Sequence, residues 1–302
     1  YFLAAAMVIF FLGIKDDILV LSATKKFIGQ LIAAGIIIKF GGIEINNLHG
    51  FLGINAIPHI TSYILTAFTI IVVTNSFNLI DGVDGLAGSL GLLTSTIFGI
   101  YFFISGQIMY SVMALSLAGS LFAFLIYNFS PAKIFMGDTG SLLIGLLNSI
   151  FAIKFMAVAA NPESALPLLS APALAFAILI VPLFDTLRVF SLRIFNRRSP
   201  FSPDRNHIHH FLLELGLSQR MITLICVSAN IVFIILAYVL RSKGTTMVIG
   251  ALATAAFLFV TVIYYSRPKP KYTEARPVRE HQDEIIKSHK ILTLVSETVD
   301  QD

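Results

Sequence analysis

The chain has 302 residues, 56% of them hydrophobic and 13% charged, with a formal net charge of +4 at pH 7. Soluble domains carry about 25% charged residues, so this balance, with a positive mean hydropathy, excludes a soluble globular enzyme. The single cysteine, Cys226, excludes an intrachain disulfide and a cysteine-based zinc site, and the basic residues fall between apolar runs, where they report membrane orientation rather than nucleic-acid binding.

A helix needs about 20 apolar residues, at about 1.5 Å each, to cross a hydrocarbon layer of roughly 30 Å. The first apolar run, Tyr1 to Ile14, lacks the basic start and small-residue cleavage site of a signal peptide, and is expected to be a clipped span in a chain that lacks upstream sequence. Spans are predicted at 26–40 and 62–79. The stretch from Gly85 to Ala132 holds 48 residues without a charge, enough for two helices that turn at Ser105-Gly106-Gln107. Further spans at 140–159, 164–184, 221–240 and 244–266 complete an all-α polytopic membrane protein of nine helices. Between the second and third, Gly41 to His59 alternates apolar positions around Asn46-Asn47 and predicts a short extracytoplasmic hairpin. From Arg267 the chain turns polar, with Pro268, Pro270 and Pro277, so a membrane domain over 1–266 is followed by a tail over 267–302 that is expected to be disordered or weakly helical.

Alternating sides along nine spans puts 17 of the 21 basic residues on one face, which the excess of Lys and Arg marks as cytoplasmic. The seven aspartates before the tail, Asp16, Asp17, Asp81, Asp84, Asp138, Asp185 and Asp204, all fall in or beside loops of that same face. Acidic residues contribute little to orientation. Their one-sidedness therefore points to a site.

Four clusters carry the chemistry. Asp16 and Asp17 end the first run; on a helix, neighbouring side chains diverge by about 100°, so at most one points squarely into a shared site while the other orients a lysine. Asn78, Asp81 and Asp84 are spaced by three, which stacks them on one helix face, among Gly82, Gly85 and Gly88 that permit close approach. Asp138 precedes a helix start, where it either caps the helix or binds a divalent cation beside glycine amides. The loop after Asp185 concentrates Arg188, Arg193, Arg197, Arg198, Asp204, Arg205, Asn206, His207, His209 and His210, donors for phosphate or nucleotide, or imidazoles for proton transfer. A cation- or proton-coupled transporter would place ionisable residues near mid-span, and 86–132, 221–240 and 244–266 carry no charge at all.

In this order the clusters resemble the polyprenyl-phosphate N-acetylhexosamine-1-phosphate transferase family, polytopic Mg2+-dependent membrane enzymes. The residues that carry the likeness are Asp16-Asp17, Asn78 to Gly88, Phe135-Met136-Gly137-Asp138-Thr139-Gly140-Ser141, and Pro203 to His210, and it extends over about 1–265. The two further spans that usually precede the aspartate pair are absent from this sequence. The resemblance implies transfer of a sugar-1-phosphate from a UDP-sugar to undecaprenyl or another polyprenyl phosphate, with release of UMP at the cytoplasmic face of the inner membrane, as a first membrane step of cell-envelope glycan synthesis. The ending Arg205-Asn206-His207-Ile208-His209-His210 is similar to the branch that uses UDP-N-acetylglucosamine; the phospho-N-acetylmuramoyl-pentapeptide branch tends to carry three consecutive histidines. It further implies Mg2+ or Mn2+ held by Asp138 with Asp81, and Asp16 or Asp17 deprotonating or positioning the acceptor phosphate. Lys26 would pair with phosphate, Asn78, Asp81 and Asp84 would hold the nucleotide, and Arg205, His207, His209 and His210 would recognise N-acetylglucosamine and phosphate. A homodimer in the lipid bilayer is compatible with it.

Overall fold

The computed structural model describes residues 1–197 and 206–267. Runs rich in Leu, Ile, Phe and Ala fold into α1 (Phe2–Leu19) and α2 (Ala23–Gly41). The first ends where Val20 turns left-handed and its N–H donates to the Asp16 carbonyl at 2.9 Å, and the second ends at left-handed Gly42. Strands β1 (Asn47–Phe51) and β2 (Ile54–Ala56) pair antiparallel, with Asn47 opposite Ala56 and Phe51 opposite Ile54. There follow α3 (His59–Ile80), α4 (Leu86–Ile104), α5 (Ile108–Asn128) and α6 (Gly137–Ala159). The rest comprises α7 (Ala171–Ile178), α8 (Ile180–Phe195), α9 (Ile208–Glu214), α10 (Gln219–Leu240), a 3-10 turn (Arg241–Lys243) and α11 (Thr245–Ser266).

The chain is a multi-pass helical membrane protein, and the nine spans expected from its sequence are supported in part. Among the described residues six helices are long and apolar enough to cross a membrane: α3, α4, α5, α6, α10 with its 3-10 extension, and α11. Helices α1 and α2 have the length, yet Lys15, Asp16 and Asp17 in one and Lys25, Lys26 and Lys39 in the other take them out of this set. The span expected at 164–184 is not one helix. Residues 164–170 precede α7, and α7 and α8 meet at 84°, so the pair makes at most one broken span. The expected polar tail lies outside the described residues from 268 onward, as do Asp204 and Arg205.

The corner between α7 and α8 has a cause in the sequence. Pro182 has no N–H to offer the carbonyl of Ile178, four residues back. Asn230 of α10, fully buried, supplies what the ladder lacks: its Nδ2 donates to Ile178 O at 3.0 Å, and its Oδ1 accepts the Val181 N–H at 3.2 Å. Backbone groups at membrane depth must be satisfied within the protein.

Two apolar clusters hold the helices. The larger gathers α3 to α11 around the rings of Phe98, Phe102, Phe151 and Phe155. The smaller gathers α1, α2, α3 and α6 around Ile9, Ala33, Ile37, Ile70 and Ile150. Helix α6 belongs to both, and its buried Asn148 accepts a hydrogen bond from Thr94 of α4 at 2.7 Å. Helix α6 is thereby packed against both halves of the bundle, and this places its first turn, which opens at Gly137.

Candidate active site

Helix α1 lies directly on that first turn. A Cβ added at Gly13 would stand 2.8 Å from the Thr139 nitrogen, so the crossing requires glycine. One turn later Asp17 accepts from the Asp138 amide (2.8 Å), the Thr139 amide (3.1 Å) and the Thr139 hydroxyl (2.5 Å). It thus caps α6 from another helix, satisfying N–H groups that have no intrahelical acceptor. Asp138, for which capping and chemistry were both open, is free of that task. Its Oδ2 meets Lys26 Nζ at 2.7 Å and its Oδ1 accepts from Asn78 Nδ2 at 2.8 Å. Lys26 is also ion-paired with the buried Asp16. Four expected residues, from α1, α2, α3 and α6, therefore meet, and of the aspartate pair it is Asp16 that both joins them and pairs with the lysine, while Asp17 caps α6.

Asn78, Asp81 and Asp84 do not share a helix face, a correction to the spacing argument. Helix α3 stops at Ile80, Asp81 is its C-cap, and Gly85, with φ at +76°, starts α4, so residues 81–85 form a tight connection. Asp84 pins the loop after α5, accepting the Ala132 amide at 3.0 Å, while its own amide donates to Gln219 at 3.0 Å. Asp81 makes no side-chain hydrogen bond among the described residues. Burial, with the negative charges of Asp138, Asp17 and Asp84 behind it, pushes its carboxyl up to about 7. Asn78, Asp81, Asp84, Gly137 and Asp138 line a cavity of about 340 Å³. Among the described residues no three Asp, Glu, His or Cys side chains form a ready-made metal centre. A carboxyl whose proton affinity is raised by burial and by neighbouring carboxylates suits a hard divalent cation that takes one or two protein ligands and completes its shell with phosphate and water.

A larger cavity, about 530 Å³, lies on the other side of Asn78, Asp81 and Gly82, which line both. Its walls include Lys26, Gln30, Asn75, Arg193 and the histidines. The histidine segment is organised by Asp185 of α8, whose carboxylate meets His207 Nδ1 at 2.8 Å, the Ile208 amide at 3.0 Å and Arg188 at 2.9 Å. His209 is 2% exposed and packs under Gly82, where any side chain would strike its imidazole. Burial, and secondarily the neighbouring His210, lower its pKa to about 4, so it is neutral at pH 7. His210 stands with its ring 4.3 Å from that of His209. Arg205 lies outside the described residues.

Sequence reasoning assigned no individual role to Gln30, to Asn75, to Asp185, which it counted only among the one-sided aspartates, or to Arg193, which it counted only as one of several donors in the loop. A signal existed for two of them: Asp185 and Arg193 sit in a helix that begins inside an apolar run, where an ionisable residue marks a site by default. Gln30 and Asn75 exchange amide hydrogen bonds at 2.7 and 3.3 Å across α2 and α3, a pairing that no local pattern announces.

Residues 1–156 match the family described as Glycosyl transferase family 4. The chain belongs to this family. Its relatives include a Bacillus subtilis (strain 168) protein named "Probable undecaprenyl-phosphate N-acetylglucosaminyl 1-phosphate transferase", 36% identical over 78% of this chain and 64% of its own length. The decaprenyl-phosphate N-acetylglucosaminephosphotransferase of Mycolicibacterium smegmatis is 33% identical over 86% of this chain and 68% of its own. The undecaprenyl-phosphate alpha-N-acetylglucosaminyl 1-phosphate transferase of Escherichia coli K12 is 29% identical over 72% and 59%. The chain thus spans about 59 to 68% of the length of these three relatives. Family 4 membership extends through the aspartate pair, the Asn78 to Gly88 segment and the Asp138 segment, and stops short of the histidines. The three relatives' alignments, at 224 to 276 residues, are longer than the family match.

Proposed function

We propose that this family 4 chain transfers N-acetylglucosamine-1-phosphate from UDP-N-acetylglucosamine to undecaprenyl or another polyprenyl phosphate, releasing UMP. One observation carries the reading: two cavities share a wall at Asn78, Asp81 and Gly82, and beside that wall Asp16, Lys26, Asn78 and Asp138 converge. A reaction between two phosphate-bearing substrates needs two adjoining compartments with a cation source between them. The relatives' names supply the acceptor and the sugar.

In this reading an oxygen of the lipid phosphate attacks the phosphorus that bears the sugar, and the bond from that phosphorus to the UMP oxygen breaks. No proton or electron is left over, because the lipid phosphate enters as its anion. Lys26 offsets the repulsion between the two anions, Asp16 keeps Lys26 in place, and Asn78 holds Asp138 in the orientation that faces the smaller cavity. A divalent cation held by Asp138 with Asp81 would neutralise charge on the pyrophosphate. Positioning and electrostatics supply most of the rate in such transfers. His207, His209 and His210 complete the larger cavity, His209 as a neutral packing surface rather than a charged contact, and Asp84 completes the smaller one. The reading also holds the site to the cytoplasmic face of the inner membrane, with β1 and β2 outside, α1 and α2 embedded as further spans, and assembly as a homodimer allowed.

The test is UMP release by purified protein in detergent with undecaprenyl phosphate and Mg2+, run in parallel on UDP-N-acetylglucosamine and UDP-MurNAc-pentapeptide. Release from the first, abolished by chelation and restored by Mg2+ or Mn2+, is expected. Release from the second alone overturns the sugar assignment, and release that survives chelation overturns the cation's role.

A further inference from the structure

Asp185 is 2% exposed, and both its oxygens are used. Oδ1 accepts from the Ile208 amide (3.0 Å) and from Arg188 (2.9 Å), and Oδ2 meets His207 Nδ1 at 2.8 Å. A carboxylate only accepts, so Nδ1 of His207 carries hydrogen, and a ring that carries a single hydrogen keeps its lone pair at Nε2. Nε2 makes no hydrogen bond among the described residues, and the ring lines the larger cavity. Turning the ring over would forfeit the bond to Asp185. The arrangement is braced further out: Arg188 also bonds the Asn206 carbonyl and lies over the Phe211 ring at 5.2 Å. Phe211 in turn carries Arg267 at 4.2 Å, and Arg267 is paired with Glu214 at 2.8 Å.

The geometry points to Asp185 as a positioning residue that makes His207 present Nε2 to the cavity as a hydrogen-bond acceptor, so that His207 takes a hydroxyl or amide N–H of the bound ligand and not an anionic oxygen. This deepens the reading above and rests on it for the ligand: a sugar nucleotide offers hydroxyl and acetamido donors, whereas a phosphate anion offers only acceptors. Contacts to phosphate then fall to Lys26 rather than to this imidazole.

The full chain, labelled with 15N-histidine in detergent, tests this by NMR, with the His207 signals assigned by their loss in His207→Gln. The wild type is expected to show the Nδ1–H tautomer. In Asp185→Asn the side-chain oxygen can still accept from Ile208 and Arg188, which turns its NH2 toward Nδ1 and should switch His207 to Nε2–H. In the UMP-release assay Asp185→Asn should raise KM for UDP-N-acetylglucosamine about tenfold, the worth of one hydrogen bond, with KM for the lipid phosphate within about twofold. The double variant should be no worse than His207→Gln alone, because the two residues act as one unit. An Nε2–H or doubly protonated ring in the wild type overturns the proposal, as do losses that multiply in the double variant. If the wild type releases no UMP, the functional reading fails while the tautomer measurement still decides the case for Asp185.

Discussion

Asp16 and Asp17 are adjacent and chemically identical, and the fold gives them different work. Asp17 spends both oxygens on the first turn of α6, whereas Asp16 faces Lys26. Asp17→Ala should therefore cost about 1 kcal/mol of stability, the usual worth of a helix cap, read as a lower melting temperature in detergent. Asp16→Asn should leave the melting temperature nearly unchanged and cut turnover by about a hundredfold. A normal melting temperature in Asp17→Ala with turnover gone would assign Asp17 to the chemistry instead. His209 gives a second test. Its folded pKa of about 4 lies below the ordinary 6.5, so between those values the unfolded chain binds more protons than the folded one. Its contribution to stability is complete above pH 6.5 and is lost as the pH falls through about 4. The melting temperature of the wild type should drop more steeply from pH 6.5 to 4.5 than that of His209→Asn, and parallel curves would count against a buried neutral imidazole. Which residues matter was largely legible at this scale, because aspartates are costly near hydrocarbon and the motifs named most of them. Which aspartate does what was not, because capping between two helices leaves no mark in either helix's own sequence.

Among the elements, α8 shows best where reading by hydropathy fails. The run 164–184 has the composition of a span, and composition is all that a hydropathy argument can see. Pro182 announces a weakness in the ladder, but the outcome depends on Asn230, 48 residues further along. Asn230→Leu should strand the Ile178 carbonyl and the Val181 N–H, at about 1 to 3 kcal/mol each, and lower the melting temperature by several degrees with loss of UMP release. Asn230→Gln, which keeps the amide but misplaces it by a methylene, should fall between. A melting temperature unchanged in Asn230→Leu would mean that the corner is held by packing alone. The α3 terminus teaches the same lesson more gently: spacing by three implied a continuous helix through Asp84, but a carboxylate at the C-cap and a left-handed Gly85 turn the chain sooner.

For the molecule as a whole, the reading requires Lys133 and the hairpin to lie on opposite sides of the membrane. The wild type provides a silent background for testing this, since its one cysteine, Cys226, is buried. Single cysteines at Lys133 and at the exposed Asn55 should react with a membrane-impermeant thiol reagent from opposite sides of sealed vesicles; labelling of both from one side would break the shared-site argument. The helical, polytopic character was legible from composition because bilayer thickness sets a length that a sequence must meet. The number of spans was less so, since α1 carries Lys15, Asp16 and Asp17 at its site end and α2 carries Lys25 and Lys26 at its site end and Lys39 at the other. The bend sealed by Asn230 has a last implication, one for protein engineering. A proline-broken helix left alone is a hinge; with its stray carbonyl and amide both tied to a neighbour, it becomes a bracket whose angle belongs to two helices jointly. A graft of α8 with its histidine segment onto another scaffold would bring every contact group and leave the angle behind, unless the stretch of α10 that carries Asn230 travelled with it.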